Sequence, residues 1–176
     1  GQGFFLKQGK EILEIDPNTL EYSPAKKLKT PSIEMAKQTR GLANKVKALT
    51  YAKDRTGELL WGIFAPTLIY SAQLHGEIAD DLVAIDNAMK WGFGWQQGPF
   101  EIWDAIGVKE SVAKMEAEGR EVPAFVKDML ASGFDTFYSE IDGDLAYYNG
   151  SEYVKVPVNE KEINLKRYKK KHGVIK

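Results

Sequence analysis

The strongest constraint on this chain lies between residues 85 and 107, where the pattern predicts two helices joined by a loop of glycine and aromatic residues. Apolar residues recur at helical spacing up to Met89, which predicts the first helix. Gly92 and Gly94 are expected to end it, because glycine adopts a positive φ without steric cost. Pro99 suits the first turn of a second helix, where its missing N–H is not needed. The chain is therefore expected to turn a sharp helical corner here.

Composition limits the class of protein. At 176 residues with 43% hydrophobic residues, the chain is long enough for one domain with a sizeable core, or one domain with attachments. The net charge of −1 argues against a general nucleic-acid binder. Cysteine is absent, which excludes disulfides and thiolate sites and favours a reducing, cytoplasmic setting. No apolar run is long enough for a membrane span. The chain starts at Gly1 without a methionine, which suggests a fragment of something longer.

The remaining patterns predict a mainly α (α+β) fold. Short strands are expected over residues 4–22. A three-stranded meander is expected from residue 137 to 156, because Asp-Gly and Asn-Gly dipeptides favour two-residue hairpin turns. The predicted helices cover residues 32–53, 58–75, 79–91, 109–118 and 124–131, with a break at 55–57. Helix 58–75 is apolar nearly all round, which is typical of a buried helix or an interface helix, and Pro66 is expected to kink it.

The corner resembles the C-terminal helical domain of the 3-hydroxyacyl-CoA dehydrogenases of fatty-acid β-oxidation. The matched positions are Ile85, Asp86, Ala88, Gly92, Gly94, Gly98, Pro99, Phe100, Glu101, Asp104 and Gly107. The resemblance implies a helical bundle like the C-terminal domain of 6-phosphogluconate dehydrogenase. It also implies a parent protein that oxidises 3-hydroxyacyl-CoA with NAD, so NAD and a CoA thioester are expected in the parent and no cofactor in this segment.

The resemblance also implies a domain layout. Gly3-Phe4-Phe5 echoes Thr136-Phe137-Tyr138, and the family's helical domain ends in an element of this kind. Residues 1–31 would then be the tail of a preceding copy with a linker, and residues 32–138 a second copy. Residues 139–176 would form the meander and a linker toward a following module. This layout is similar to multifunctional proteins that also carry an enoyl-CoA hydratase domain.

No catalytic residue and no metal site is predicted. The glycines at 92, 94 and 98 mimic a dinucleotide fingerprint, but the spacing is too long and a helix precedes them, so a tight inter-helix loop is favoured. His75 is interpreted as a cation at a helix C-terminus, and His172 as a solvated residue. Glu101 and Asp104 are expected in the first turn of their helix, where the helix dipole favours acidic groups. Glu77, Asp80 and Asp81 are interpreted in the same way, as an acidic helix start rather than as metal ligands.

One departure from the family separates the functional hypotheses. The family's Asn-Arg pair near the acyl-CoA site aligns with Trp61 and Gly62, and an indole cannot replace an amide's donor and acceptor. The first hypothesis is therefore a packing or dimerisation domain, with the preceding helical copy and nucleotide-binding domain, or a second copy of itself, as partners. The second is an acyl-CoA-binding module, and the third a helical adaptor that binds a protein through residues 58–75. The second would use four aromatic residues as weak substrate-binding candidates: Phe93, Trp95, Phe100 and Trp103.

Overall fold

The computed structural model describes residues 3–25, 29–157, 168, 169 and 173. Within them the fold is mainly α, with two small antiparallel sheets, which confirms the predicted α+β class. The helices are α1 (Pro31–Gln38), α2 (Leu42–Thr50), α3 (Arg55–Leu74), α4 (Leu82–Phe93), α5 (Pro99–Ile106), α6 (Val108–Ala117) and α7 (Ala124–Ala131). The first sheet has strands β1 (Phe5–Gln8), β2 (Glu11–Ile15) and β3 (Tyr22–Pro24), and the second has β4 (Tyr138–Ile141), β5 (Asp144–Tyr148) and β6 (Tyr153–Lys155).

The single helix predicted over residues 32–53 is wrong. Thr30 caps α1, since its Oγ1 accepts a hydrogen bond from the N–H of Ile33 at 3.4 Å. The chain then leaves the helix after Gln38, and Gly41 has a φ of 82°, outside the right-handed helical region. A second helix, α2, starts at the next residue. The apolar stripe that predicted one helix therefore belongs to two.

Helix α3 begins inside the segment that was predicted as a break. Asp54 is its N-cap, and Oδ1 accepts from the N–H groups of Thr56 and Gly57 at 3.1 and 3.3 Å. Gly57 lies against the backbone of Ala52, where an added Cβ would stand 2.0 Å from the carbonyl oxygen. The glycine is thus used for close approach rather than for a break. The helix continues through Pro66, which is exposed.

Helix α4 is shifted toward the C-terminus relative to the prediction. Asp81 caps it, with Oδ1 accepting from the N–H of Ala84 at 2.7 Å. Gly92 lies inside the helix, so the prediction that this glycine helps to end it is wrong. Gly94 does end it, in the left-handed conformation with a φ of 69°.

The core is built around α5 and joins helices α3 to α7 with the second sheet. Phe100 and Trp103 on α5 are fully buried and both contact Phe137. Tyr148 on β5 lies in the same cluster with 1% exposure. The predicted domain boundary after residue 138 falls at the first residue of β4, and the meander beyond it, confirmed as three strands, shares the helical core.

The described residues contain no helix with both the length and the apolar character that crossing a bilayer needs. His172 and most of the basic tail lie outside the described residues.

Candidate functional site

The corner between α4 and α5 is organised by Asp86, which is fully buried. Its Oδ1 accepts from the N–H of Phe100 at 2.8 Å, and its Oδ2 accepts from the N–H of Glu101 at 3.1 Å. The first N–H groups of a helix have no partner within the helix and form its positive end. Asp86 therefore satisfies the start of α5 from the neighbouring helix.

Gly98 makes this arrangement possible. An ideal Cβ on Gly98 would lie 2.3 to 2.5 Å from Cγ, Cβ and Cα of Asp86, so the two backbones could not approach this closely with any other residue. The N–H of Gly98 donates to Oε2 of Glu101 at 2.8 Å, and Nζ of Lys90 donates to Oε1 of the same carboxylate at 2.7 Å. Glu101 is in the first turn of α5, as predicted, and ties the corner to α4.

Asp104 joins this corner to the second sheet. It accepts from the N–H of Phe137 at 2.7 Å and from the N–H of Tyr138 at 2.8 Å. The Tyr138 hydroxyl also donates to Oδ2 of Asp86 at 2.9 Å. The sequence placed Asp104 in the first turn of the helix, where it would favour the dipole, but it is the sixth residue of α5. Its carboxylate instead binds backbone donors far along the chain.

Burial dominates the electrostatics of this network, which we call the acidic tie (Asp86, Asp104 and Tyr138). Burial raises the pKa of Asp86 to about 6, although the N–H of Phe100 and the Tyr138 hydroxyl oppose the rise. Burial likewise raises the pKa of Asp104 to about 7, and the charge of Asp86 adds to it. The pKa of Tyr138 is raised by burial and by Asp86, so its hydroxyl remains a donor at neutral pH.

Gly107 ends α5 with a φ of 92° and starts α6. Its carbonyl accepts from the hydroxyl of Ser111 at 2.7 Å, and that hydroxyl oxygen accepts from Nε1 of Trp103 at 2.8 Å. The one polar atom of the buried indole is therefore satisfied, as burial of tryptophan requires. The predicted motif residues 86, 98, 101, 104 and 107 thus all have a defined structural contact.

The four aromatic candidates for substrate binding differ widely in exposure. Phe100 and Trp103 are part of the closed core, Trp95 is half-buried, and Phe93 is 74% exposed. A groove of about 410 Å³ lies elsewhere, between α4 and the second sheet. It is lined by Asp81, Val83, Ala84, Asn87, Ala88, Trp91, Tyr147, Val156 and Pro157. Substrate binding by the four residues stays a prediction.

The position aligned with the family's asparagine has a packing role in this chain. Trp61 is 7% exposed, and its Nε1 donates to both carboxylate oxygens of Glu118 at 2.8 and 2.9 Å. The ammonium of Lys114 lies 4.1 Å from the centre of the indole ring. Trp61 therefore joins α3 to the end of α6.

Two other polar interpretations have different outcomes. His75 does lie at the C-terminal end of α3, as predicted, but its ring stacks on Phe125 with the ring centres 4.1 Å apart and burial lowers its pKa, which disfavours the predicted cation. The interpretation of Asp81 as part of an acidic helix start is confirmed, since it caps α4. Among the described residues, no group of three acidic or histidine side chains is placed to hold a metal ion.

Two curated proteins are similar in sequence to this chain. The chain is 53% identical over 175 residues to a protein of Bacillus subtilis (strain 168) named "Probable 3-hydroxyacyl-CoA dehydrogenase", and the match covers 99% of this chain and 22% of that protein. A protein of Rickettsia felis (strain ATCC VR-1525 / URRWXCal2) named "Putative fatty acid oxidation complex trifunctional enzyme" is 30% identical over 107 residues, which cover 58% of this chain and 13% of that protein.

The chain therefore spans about a fifth or less of the length of these curated relatives. No protein-family model and no solved structure matches it. The resemblance predicted from residues 85–107 is confirmed: the chain is related, over nearly its whole length, to a segment of a 3-hydroxyacyl-CoA dehydrogenase.

Proposed function

We propose that this chain is a helical packing domain of a 3-hydroxyacyl-CoA dehydrogenase, a cytoplasmic enzyme that oxidises 3-hydroxyacyl-CoA with NAD in fatty-acid β-oxidation. The observation that carries the proposal is the 53% identity to the Bacillus relative over 99% of the chain. Within a longer protein the domain would supply architecture, and the nucleotide and the CoA thioester would bind outside this segment.

The contacts at the start of α5 support this division of roles. A pyrophosphate binds where helix N-terminal N–H groups are free to point at it. Here the N–H groups of Gly98, Phe100 and Glu101 donate to the carboxylates of Glu101 and Asp86. A buried carboxylate therefore occupies the place that a phosphate would need, and these residues do not fit NAD.

One face of α3 supports the packing role. Leu59, Ile63 and Tyr70 are 56%, 47% and 59% exposed, and their spacing places them along one side of the helix together with Gly62 and Pro66. An added Cβ on Gly62 would meet nothing within 4 Å, so another helix could approach the backbone there. We propose that a preceding helical copy covers this face in the longer protein, or a second copy of the chain when it is isolated.

The packing role is tested by Ile63→Glu in the full-length protein, with Ile78→Glu as the control because Ile78 is exposed outside α3. Ile63→Glu is expected to lower the melting temperature of the full-length protein and its dehydrogenase activity. The control is expected to change neither. Equal behaviour of the two variants would contradict the packing role.

The division of roles is tested by calorimetric titration of the 176-residue chain with acetoacetyl-CoA, with and without NADH. We expect no heat of binding and no oxidation of NADH. Turnover would overturn the proposal. Saturable binding without turnover would favour an acyl-CoA-binding module. The groove lined by the exposed Trp91 is the structural feature that favours this alternative. Trp91→Ala and Trp95→Ala would then separate binding in the groove from binding at the predicted aromatic residues.

A further inference from the structure

One side of α4 forms a wall of the groove beside the second sheet. Its lining residues recur every three or four positions, which places them on the same side of the helix: Asp81, Ala84, Ala88 and Trp91. Trp91 is 81% exposed, and both alanines are exposed as well. The distance from Asp81 to Trp91 along the helix is roughly 15 Å, at about 1.5 Å per residue. The wall is therefore long enough for about five residues of an extended chain.

The second sheet supplies the opposite wall. Tyr147 and Val156 lie on the same face of the sheet, because Tyr147 pairs with Val154 and side chains alternate along a strand. Both are half-buried, and Pro157 continues the wall beyond β6. An aromatic and aliphatic lining of this kind favours a ligand with apolar side chains.

The groove also contains polar side chains that are free to bind a ligand. Asn87, Trp91 and Tyr147 line it, and within the described residues their side chains form no hydrogen bond. The Asn87 amide offers both a donor and an acceptor. A helix satisfies most of its own backbone groups, whereas the backbone of an extended segment needs outside partners. The free side chains therefore favour an extended occupant over a helical one.

The charge of the groove limits the ligand further. Asp81 lies at the end of the groove where α4 begins, and the exposed Asp80 precedes it. No lysine or arginine is among the described residues that line the groove. The phosphates of a CoA thioester would therefore meet a carboxylate and no cation, whereas a basic side chain would be attracted.

From these features we infer that the groove binds an extended segment of a separate protein, with apolar residues at alternate positions and a lysine or arginine at one end. The basic residue pairs with Asp81, and the apolar side chains pack on Ala84, Ala88 and the indole of Trp91. Permanent interfaces are more hydrophobic than transient ones, so the free polar groups favour a partner that associates and dissociates. The inference is independent of the proposed function, because it requires no step of the dehydrogenase reaction.

The inference is tested by selecting random seven-residue peptides, displayed on phage, against the full-length protein. We expect the enriched peptides to carry apolar residues at every second position and a lysine or arginine at one end. Trp91→Ala is expected to weaken calorimetric binding of an enriched peptide at least about tenfold. Phe93→Ala is the matched control, because Phe93 is 74% exposed at the same end of α4 but does not line the groove. It is expected to leave binding unchanged.

Three outcomes overturn the inference: no common pattern among the selected peptides, apolar residues at helical spacing, or equal binding by the Trp91→Ala and Phe93→Ala variants. Dehydrogenase activity enters none of these measurements, so the inference and the proposed function can fail separately.

The charge of Asp81 is tested by Asp81→Asn, which keeps the N-cap of α4 because asparagine caps a helix as well as aspartate does. The melting temperature should therefore stay nearly unchanged. Peptide binding should weaken about fivefold at low salt and by less at high salt, because salt screens the lost ion pair. Equal binding by the variant and the wild type at low salt contradicts the inference, as does displacement of the peptide by acetoacetyl-CoA.

Discussion

Two carboxylate clusters in this domain use the same chemical group with opposite electrostatic results. In the acidic tie, Asp86 and Asp104 are buried, and burial raises their pKa values to about 6 and about 7. At the end of α6, Glu118 is partly exposed and accepts from Lys114, Trp61 and Arg120, which lower its pKa to about 2. The comparison teaches that the surroundings of an acidic residue, and not its hydrogen bonds alone, decide which protonation state the fold favours.

The stability that the two clusters contribute changes with pH in opposite directions. The folded state holds protons on Asp86 and Asp104 more tightly than the unfolded state, so their contribution falls as pH rises from about 4 to about 7. Glu118 behaves in the other sense, because its contribution is present above its unfolded pKa and is lost as pH falls toward 2. From these groups we expect the free energy of unfolding to be highest between the two ranges, near pH 4 to 5.

The largest effect is expected for Gly98→Ala, which breaks the acidic tie at its closest approach. The added methyl group would overlap the backbone and side chain of Asp86, so α4 and α5 must separate. We expect a loss of more than about 3 kcal/mol in the free energy of unfolding, measured by urea denaturation. Gly92→Ala is the control, since a Cβ there meets nothing within 4 Å, and it is expected to stabilise by about 0.5 to 1 kcal/mol.

Asp104→Asn should lower the free energy of unfolding by less than Gly98→Ala does. It should also change how the free energy of unfolding depends on pH. The amide has one acceptor oxygen for the two N–H donors of Phe137 and Tyr138, so one buried donor is left unpaired, at about 1 to 3 kcal/mol. The amide does not titrate, so the fall in stability between pH 4 and 7 should be smaller in the variant. Urea denaturation at pH 4.5 and 8 measures both effects. A difference from the wild type that grows with pH would contradict the raised pKa.

Tyr138→Phe should have an intermediate effect. It removes the hydroxyl that donates to Asp86 and leaves the ring in place. We expect a loss of about 1 to 2 kcal/mol near neutral pH, measured by thermal or urea denaturation. Tyr147→Phe is a suitable control on the neighbouring strand. If Tyr138→Phe and Tyr147→Phe lower the free energy of unfolding equally, the hydrogen bond from the Tyr138 hydroxyl to Asp86 does not stabilise the fold.

Glu118→Gln should have the smallest effect, because the Glu118 side chain is 34% exposed and solvent screens its ion pairs. At neutral pH and moderate salt we expect a loss below about 1 kcal/mol. The variant should also lose less stability on acidification below pH 4. Added salt should reduce the difference from the wild type, whereas it should leave the effect of Gly98→Ala unchanged. Denaturation at two salt concentrations measures this contrast.

Local chemistry explains most of what the sequence could predict. The end of α4 at Gly94, the start of α5 at Pro99, the helix over residues 124–131 and the three-stranded meander depend on neighbouring residues, so pattern alone located them. The break at Gly41 was missed because an apolar stripe continues across it. Gly98 and Asp86 were both predicted as parts of the motif, but the close contact between them was not.

The contacts between distant residues could not be predicted in this way. The Tyr138 hydroxyl and Asp86 are 52 residues apart, and no local pattern links them. The sequence also could not predict that Phe4 is 78% exposed, because the residues around it resemble those around the buried Phe137. The presence of apolar and aromatic residues in a sequence does not show which of them are buried in the folded protein.

The acidic tie also has a consequence for the order of folding. The bond from the Phe100 N–H to Asp86 closes a loop of 14 residues, whereas the bonds from β4 to Asp104 and Asp86 close loops of 33 to 52 residues. Short loops close at a lower entropic cost, so the helical corner should form before the sheet docks. Gly98→Ala should then slow refolding, and Tyr138→Phe should mainly speed unfolding, which stopped-flow kinetics can separate. The second sheet is therefore expected to dock last during folding and to detach first during unfolding.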